Sequence, residues 1–194
     1  LPGGLGEVTA NAFVEVVRDR VEFMQTGLYQ QAQNVQSEWI VGGELDSRFN
    51  LHKTFQLRFA ATVARTVSRS ADSDLEGMPQ VTNPLFPPYQ FHLLANWQLP
   101  WLGLRVLPEL SYVGPRASSQ SNALEQGSDY TVPGYFYGAL AVSLPPRKII
   151  GDTETGLSLR VTNVLHQRYS EPGFGGIDVP ARGIGAMLTL TQSL

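Results

Sequence analysis

The chain has 194 residues, 42% of them hydrophobic, and 14 Lys and Arg against 17 Asp and Glu give a net charge of −3. That balance lacks the strongly basic face of a nucleic-acid binder, and the absence of cysteine removes disulfides, thiolate nucleophiles and Cys-based zinc sites together. No apolar run approaches the roughly 18 residues of a spanning helix, whereas a transmembrane β-strand needs only about 9–11, half of which can be polar.

In chain order, about eight alternating segments follow. The first, around Ala12–Met24, is the least clean: Arg18, Arg20 and Glu22 share a face, and Asp19 interrupts the apolar row of Val17, Val21 and Phe23. Next, Trp39, Val41, Leu45 and Phe49 oppose Glu38, Glu44, Asp46 and Arg48. In Thr54–Val67, Phe55, Leu57, Phe59, Ala61 and Val63 oppose Thr54, Gln56, Arg58 and Thr62. Phe91, Leu93, Ala95, Trp97 and Leu99 oppose His92, Asn96 and Gln98, with Leu94 the exception. Leu102, Leu104, Val106, Leu110 and Tyr112 oppose Arg105, Glu109 and Ser111; Pro108 inside that segment predicts a bulge or a locally broken ladder. Phe136, Leu140, Val142 and Leu144 oppose Tyr135, Tyr137 and Ser143, and Leu157, Leu159 and Val161 oppose Ser158, Arg160 and Thr162. In the last segment Ala186, Leu188, Leu190 and Leu194 share a face with Gln192, against Met187, Thr189, Thr191 and Ser193. A period-two strand that runs to the final residue is how outer-membrane barrels close.

The connections differ systematically in length. Asn50–Lys53 and Leu99–Trp101 are tight, whereas Ser68–Pro87, Gly114–Val132 and Gln167–Pro180 are long and rich in Gly, Pro, Ser, Asn and Asp. Pro145–Thr155 reads as a longer turn than this scheme wants at the short-turn end. Phe49, Phe55, Trp97 and Trp101 fall near the short turns; Phe86, Tyr89, Phe91, Tyr112, Tyr135 and Tyr169 fall toward the long loops. Short turns at one end, long loops at the other and an aromatic girdle near each end describe an outer-membrane barrel. A soluble sandwich would also alternate, and aromatics favour strands in any setting, so the connections decide. The predicted fold is all-β: an antiparallel transmembrane β-barrel of about eight strands over residues 1–194, as a complete small barrel or as part of a larger one.

Five short motifs in order carry a family resemblance. They are Arg18-Asp19-Arg20-Val21-Glu22-Phe23; Asn34 followed by Gly42-Gly43-Glu44-Leu45; Pro88-Tyr89-Gln90; Tyr112-Val113-Gly114-Pro115-Arg116; and Asn163-Val164-Leu165-His166-Gln167-Arg168-Tyr169 with the Ser170–Gly175 loop after it. Over nearly its whole length the chain resembles the C-terminal part of the barrel of TonB-dependent outer-membrane receptors. It departs from that pattern at His166, where Asp or Asn is usual, and at Gln192 and Leu194, which stand where aromatics are common. Nothing in it resembles the family's N-terminal plug domain or the segment that contacts TonB. The resemblance implies location in the bacterial outer membrane and uptake of a metal chelate, siderophore-like, or a similar scarce solute. It implies outer-membrane lipid as surroundings, and TonB, reached through a plug domain, as a partner. The expected ligand contacts in the outer loops are Arg116, Tyr169, Glu171 and Phe174. The alternative is a stand-alone small barrel with a structural or binding role and no transport.

Little points to catalysis. His52, His92 and His166 lie at no metal-ligand spacing, and Gly173-Phe174-Gly175-Gly176 lacks the strand and helix of a phosphate cradle. No metal or other cofactor is expected. His92, Ser111 and Glu109 are imaginable as a lipid-hydrolysing set, but no sequence feature places His92 opposite the other two. Glu38, Glu44, Asp46, Arg48, Arg58, Arg105, Glu109 and Arg160 are expected to face the lumen. There unpaired charges would each cost several kcal/mol, so pairing among them is expected. An open sheet would leave unpaired edges in lipid, which is prohibitive. The sequence therefore predicts closure on itself, pairing with further strands, or membership in a larger wall. The partner of the Ala12–Phe23 strand decides among these.

Overall fold

The computed structural model describes residues 4–26, 29–70, 86–118, 130–150, 153–173 and 177–193, with backbone only for strand residues 19, 20, 22–26, 30, 33–37, 67–70, 149, 150 and 193. Twelve strands form: β1 (Gly6–Thr26), β2 (Tyr29–His52), β3 (Phe55–Ser70), β4 (Tyr89–Leu99), β5 (Leu104–Val113), β6 (Arg116–Ala117), β7 (Thr131–Val132), β8 (Tyr135–Ile150), β9 (Thr153–Thr162), β10 (Ser170–Glu171), β11 (Val179–Pro180) and β12 (Gly185–Ser193). Eight of them make one antiparallel sheet in the order β1-β2-β3-β4-β5-β8-β9-β12, and the short pairs β6-β7 and β10-β11 stand apart from it. Ala12–Phe23 does not pair with Ala186–Ser193: β1 and β12 are the two outer strands of the sheet.

Register converts the eight separate alternations into two continuous faces. Phe59 pairs with Leu93, Leu93 with Leu110, Pro108 with Leu140, Leu140 with Val161, and Ala186 with Val161, so the apolar rows line up from β3 to β12. This face is exposed: Leu93 is 38% accessible, Leu159 43% and Leu190 66%. The fully buried apolar residues are few, Val132 and Ala139 among the described ones. A sheet whose apolar face is its exposed face has the inverse of a soluble core and fits a hydrocarbon surround. Strands β4, β5, β9 and β12, of 11, 10, 10 and 9 residues, have the length a tilted bilayer crossing needs.

Four expectations are corrected here. β1 starts at Gly6, and its apolar row is Val8, Ala10, Ala12, Val14 and Val16, with Val14 opposite Val41 and Val16 opposite Trp39. Arg18 is next in that row, so the apolar band ends there; Val17 lies on the other face, opposite Glu38. Second, Pro145–Thr155 is not a long turn. β8 continues to Ile150: the register shift between Leu144 and Arg147 absorbs Pro145 and Pro146, and a second shift lies between Lys148 and Ile150. Third, of the two outcomes expected at Pro108, the locally broken ladder is found and the bulge is not. The β4-β5 ladder skips from Leu94↔Glu109 to Trp97↔Val106 with no change of register, while Pro108 still pairs with Leu140 of β8. The missing N–H breaks the ladder on one side only. Fourth, Tyr135 and Tyr169 do not join the outer aromatic row, as described below.

All long connections leave from one end of the sheet: 71–88, 114–134 and 163–184. At the other end lie Lys53–Thr54, Pro100–Gly103 and the Ile150–Thr153 pair, with Gly103 at φ 60 in the second of these. Only a residue tolerant of the left-handed region ends that turn without strain. β1 and β2 also meet at the long-loop end, where Thr26 pairs with Tyr29.

Aromatic rings mark both ends of the apolar face. Toward the loops, Phe59 stacks on Phe91, Phe91 and Tyr89 stack on Tyr112, and Tyr112 meets Phe136 at 4.7 Å. Toward the turns, Phe55 and Trp97 meet edge to face at 6.3 Å, and Trp101 is 73% exposed. Rings that pack beside one another while remaining exposed form a girdle.

Candidate functional site

The polar face of the sheet carries every charged residue expected on it. Glu44, Arg48 and Asp46 of β2, Arg58 of β3, Arg105 and Glu109 of β5 and Arg160 of β9 share it, and Glu38, also on this face, is 2% exposed. Arg48 lies directly opposite Arg58. Like charges at that position repel, and Asp46 offsets the repulsion by taking Arg58 Nε at 3.0 Å and Nη2 at 2.5 Å on one oxygen. Arg105 donates to Asn96 Oδ1 at 2.8 Å. Arg160 makes a two-pronged contact with Glu109, Nη1 to Oε1 at 2.9 Å and Nη2 to Oε2 at 2.7 Å. The two residues are on β9 and β5, with β8 between them. Ala139 pairs with Glu109 and Ala141 with Arg160, so small side chains on β8 leave room for the guanidinium to cross.

His92 does meet Ser111: they pair across β4 and β5, with Nδ1 and Oγ 2.8 Å apart. Register, which the sequence does not display, brings them together. Glu109, however, has both carboxylate oxygens on Arg160. The three residues therefore do not form a relay. Among the described residues no group of His, Asp and Glu has the arrangement of a metal site.

The expected outer-loop contacts converge. Arg116 sits on β6, in the small hairpin with β7, and Glu171 on β10, in the small hairpin with β11. Arg116 Nη1 pairs with Glu171 Oε2, and the Tyr135 hydroxyl donates to Glu171 Oε1. Tyr169 lies parallel on Tyr135. Burial, and then the Glu171 carboxylate, hold the Tyr169 phenol above its ordinary value. Arg116 is 8% exposed, and its Nε and Nη2 have no hydrogen-bond partner among the described residues. Phe174 lies outside the described residues.

Two further residues hold this arrangement together. Tyr135 reads as a girdle residue because it is aromatic and near a strand end, but by parity it falls on the Tyr137 side and not on the Phe136 side. Asn163 is 2% exposed and has φ 52. Its Nδ2 donates to the Gln167 and Arg182 carbonyls at 3.0 and 3.1 Å, and its Oδ1 accepts from the Gln167 amide at 3.1 Å. One side chain thus ties the start of the 163–184 loop to its end. His166, with φ 50, is the other non-glycine residue in the left-handed region among the described residues. Asn, Asp and His are the residues enriched there, which accounts for His166 at a position where Asp or Asn is usual. Beside the cluster, Tyr130, Pro133, Tyr135, Arg168, Tyr169 and Asp178 line a cavity of about 330 Å³.

No protein-family model matches the chain, and no curated protein matches it. Solved structures do. The ferric-catecholate import receptor Fiu from E. coli K12 superposes with TM-score 0.68 at 18% identity, over 99% of this chain and 25% of its own. The ferripyoverdine receptor of the outer membrane of Pseudomonas aeruginosa gives TM-score 0.69 at 15% identity, over 97% and 25%. The copper transporter OprC gives 0.71 at 18%, over 98% and 28%. The fold is that of a segment of the barrel of such receptors, as the resemblance implied, and the chain spans about a quarter of the length of these neighbours.

Proposed function

We propose that this chain forms part of the wall and outer loops of a bacterial outer-membrane uptake receptor for a metal chelate or similar scarce solute. The observation that carries the reading is the joining of two long loops at one point, through Arg116, Glu171, Tyr135 and Tyr169. Loops that only cover a barrel mouth need no such convergence; a ligand that must be held from two sides does. The partnerless Arg116 donors are themselves buried, so the groups a chelate would meet are the stacked phenols and the Glu171 carboxylate beside the adjoining cavity, with Arg116 holding them in place. The charges of the opposite sheet face would line the solute path, and β1 and β12 would pair with further strands of the wall. Energy would come from TonB through a plug domain. The proteins named above, a ferric-catecholate import receptor, a ferripyoverdine receptor and a copper transporter, support this reading.

A stand-alone barrel of these eight strands would need β1 beside β12, and the sheet order places them at opposite edges. The receptor reading is tested in cells lacking other iron receptors. The full-length protein should fractionate with the outer membrane and raise uptake of radiolabelled iron from a catecholate, hydroxamate or citrate chelate, or of a copper chelate. Arg116→Met should reduce that uptake at least tenfold with unchanged protein level. Uptake equal to the receptor-less strain for every chelate would overturn the transport role, and absence from the outer membrane would overturn the location as well.

A further inference from the structure

A second site lies on the apolar face, away from the loop cluster. Val41 and Gly43 of β2, Val63 and Arg65 of β3, Phe86 and Tyr89 line a notch of about 570 Å³. Its floor is low because Gly43 has no side chain, between Ala12 on β1 and Val63 on β3. A Cβ built at Gly43 meets only the Asn11 carbonyl, at 3.3 Å, so the space above it opens to the surroundings. Val41 and Val63 form the sides and are 50% and 55% exposed. Tyr89 closes one flank, stacked on Tyr112 in the loop-end aromatic row.

Arg65 stands at the top of this notch. It pairs with Val41 and follows Val63 on the same face. Val63 in turn is opposite Tyr89, so Arg65 is one step beyond the girdle, at the level where headgroups begin. Among the described residues lining the notch it is the one charged group. Arg18, on the same face of β1, lies farther toward the loops. An apolar recess of that volume, with a guanidinium one step beyond the girdle, is complementary to one molecule: a lipid with an anionic phosphate head.

We propose that this notch is a binding site for a lipid of the loop-side leaflet whose phosphate head carries net negative charge, with Arg65 on the phosphate and an acyl chain over Gly43. The proposal rests on the membrane location above. The test is native mass spectrometry of the full-length protein, released from detergent after incubation with diphosphoryl lipid A or, separately, with phosphatidylcholine. Wild type should retain one more lipid A than Arg65→Gln, and Gly43→Val, which fills the recess with an apolar group the bilayer tolerates, should lose the same one. Phosphatidylcholine retention should not differ among the three. Equal lipid A retention by all three proteins, or none by wild type, would overturn the site. Fractionation of each variant with the outer membrane separates that result from a failure of the membrane reading, which would leave all three outside it.

Discussion

The ring of Tyr135 lies face to face with that of Tyr169, their centroids 3.6 Å apart and their planes 10° from parallel. One ring belongs to the first residue of β8, the other to a loop that also carries Glu171, so the stack fastens loop to wall. Removing the ring should release the loop, while removing only the hydroxyl should not. A stacked pair contributes about 0.5–1.5 kcal/mol beyond its burial. Tyr169→Ala should therefore speed amide hydrogen exchange across 163–173 by about two- to tenfold, and Tyr169→Phe should leave it unchanged. Equal exchange in both variants would mean the stack holds nothing.

The Arg116–Glu171 pair joins the two small hairpins, and Arg116 is the more buried partner, its side chain 7% exposed against 38% for Glu171. Breaking a buried pair leaves a charge uncompensated at roughly 3–5 kcal/mol, and the exposure of Glu171 brings this toward the lower end. Glu171→Gln keeps the shape but strands the guanidinium. It should make the 163–184 loop cleavable by protease at rates at least tenfold above wild type, with the β-sheet still intact by circular dichroism. Arg116→Met combined with Glu171→Gln should recover part of the protection, because no charge is then left without its partner.

Asn163 serves the same loop from its base. Asn163→Ala deletes three hydrogen bonds and places alanine at φ 52, where a Cβ-bearing residue without a local partner is disfavoured. Unsatisfied buried groups cost about 1–3 kcal/mol each, partly relieved by water near the loop. The loop should open, and chelate uptake should fall while outer-membrane protein level holds. Asn163→Gly, which tolerates the φ but not the hydrogen bonds, should behave like the alanine variant; full uptake by either would dismiss Asn163 as a positioning residue.

Which parts of this structure the sequence disclosed follows from the range of the physics involved. Period-two alternation is local, so the faces of Phe55–Val63 and Leu157–Val161 were legible from the residues alone. Where alternation changes sense, as at Val16–Arg18 in β1, a single strand misleads, and only pairing with Val41 and Trp39 restores the face. Pro145 and Pro146 read as a turn because proline removes ladder donors; a register shift between Leu144 and Arg147 accommodates them instead. Arg116 and Glu171 were singled out as loop residues, but their contact links positions far apart in the chain, as does the His92–Ser111 contact. Cross-strand register and loop docking are non-local, and no window of sequence displays them.

Arg160 and Glu109 supply a test of how the polar face is held. Their side chains are 39% and 15% exposed, so this is a partly buried pair with good two-pronged geometry. Arg160→Met should destabilise the folded wall by about 1–3 kcal/mol, since Glu109 then keeps its charge without a partner. Glu109→Gln with Arg160→Met should cost less than the two single changes summed. The readout is a double-mutant cycle on urea unfolding in lipid vesicles, and additive effects would mean that the contact across β8 contributes nothing.

A single strand offers a test of the surroundings of the apolar face. In β4, Leu93 lies on that face near the middle of the strand, Leu99 on the same face at the turn end, and Gln90 on the polar face. In a bilayer the cost of an arginine depends on depth, about 2–4 kcal/mol at the midplane and about 0–1 near the interface. Leu93→Arg should therefore lower folding stability in vesicles by roughly that larger amount, Leu99→Arg by the smaller, and Gln90→Arg by less than about 1 kcal/mol, because Gln90 does not meet lipid. In water the order would not hold: an exposed Leu93 replaced by arginine would cost little at any depth. Equal and small effects at Leu93 and Leu99 would thus remove the hydrocarbon from around this sheet, and with it the reason for its inverted faces.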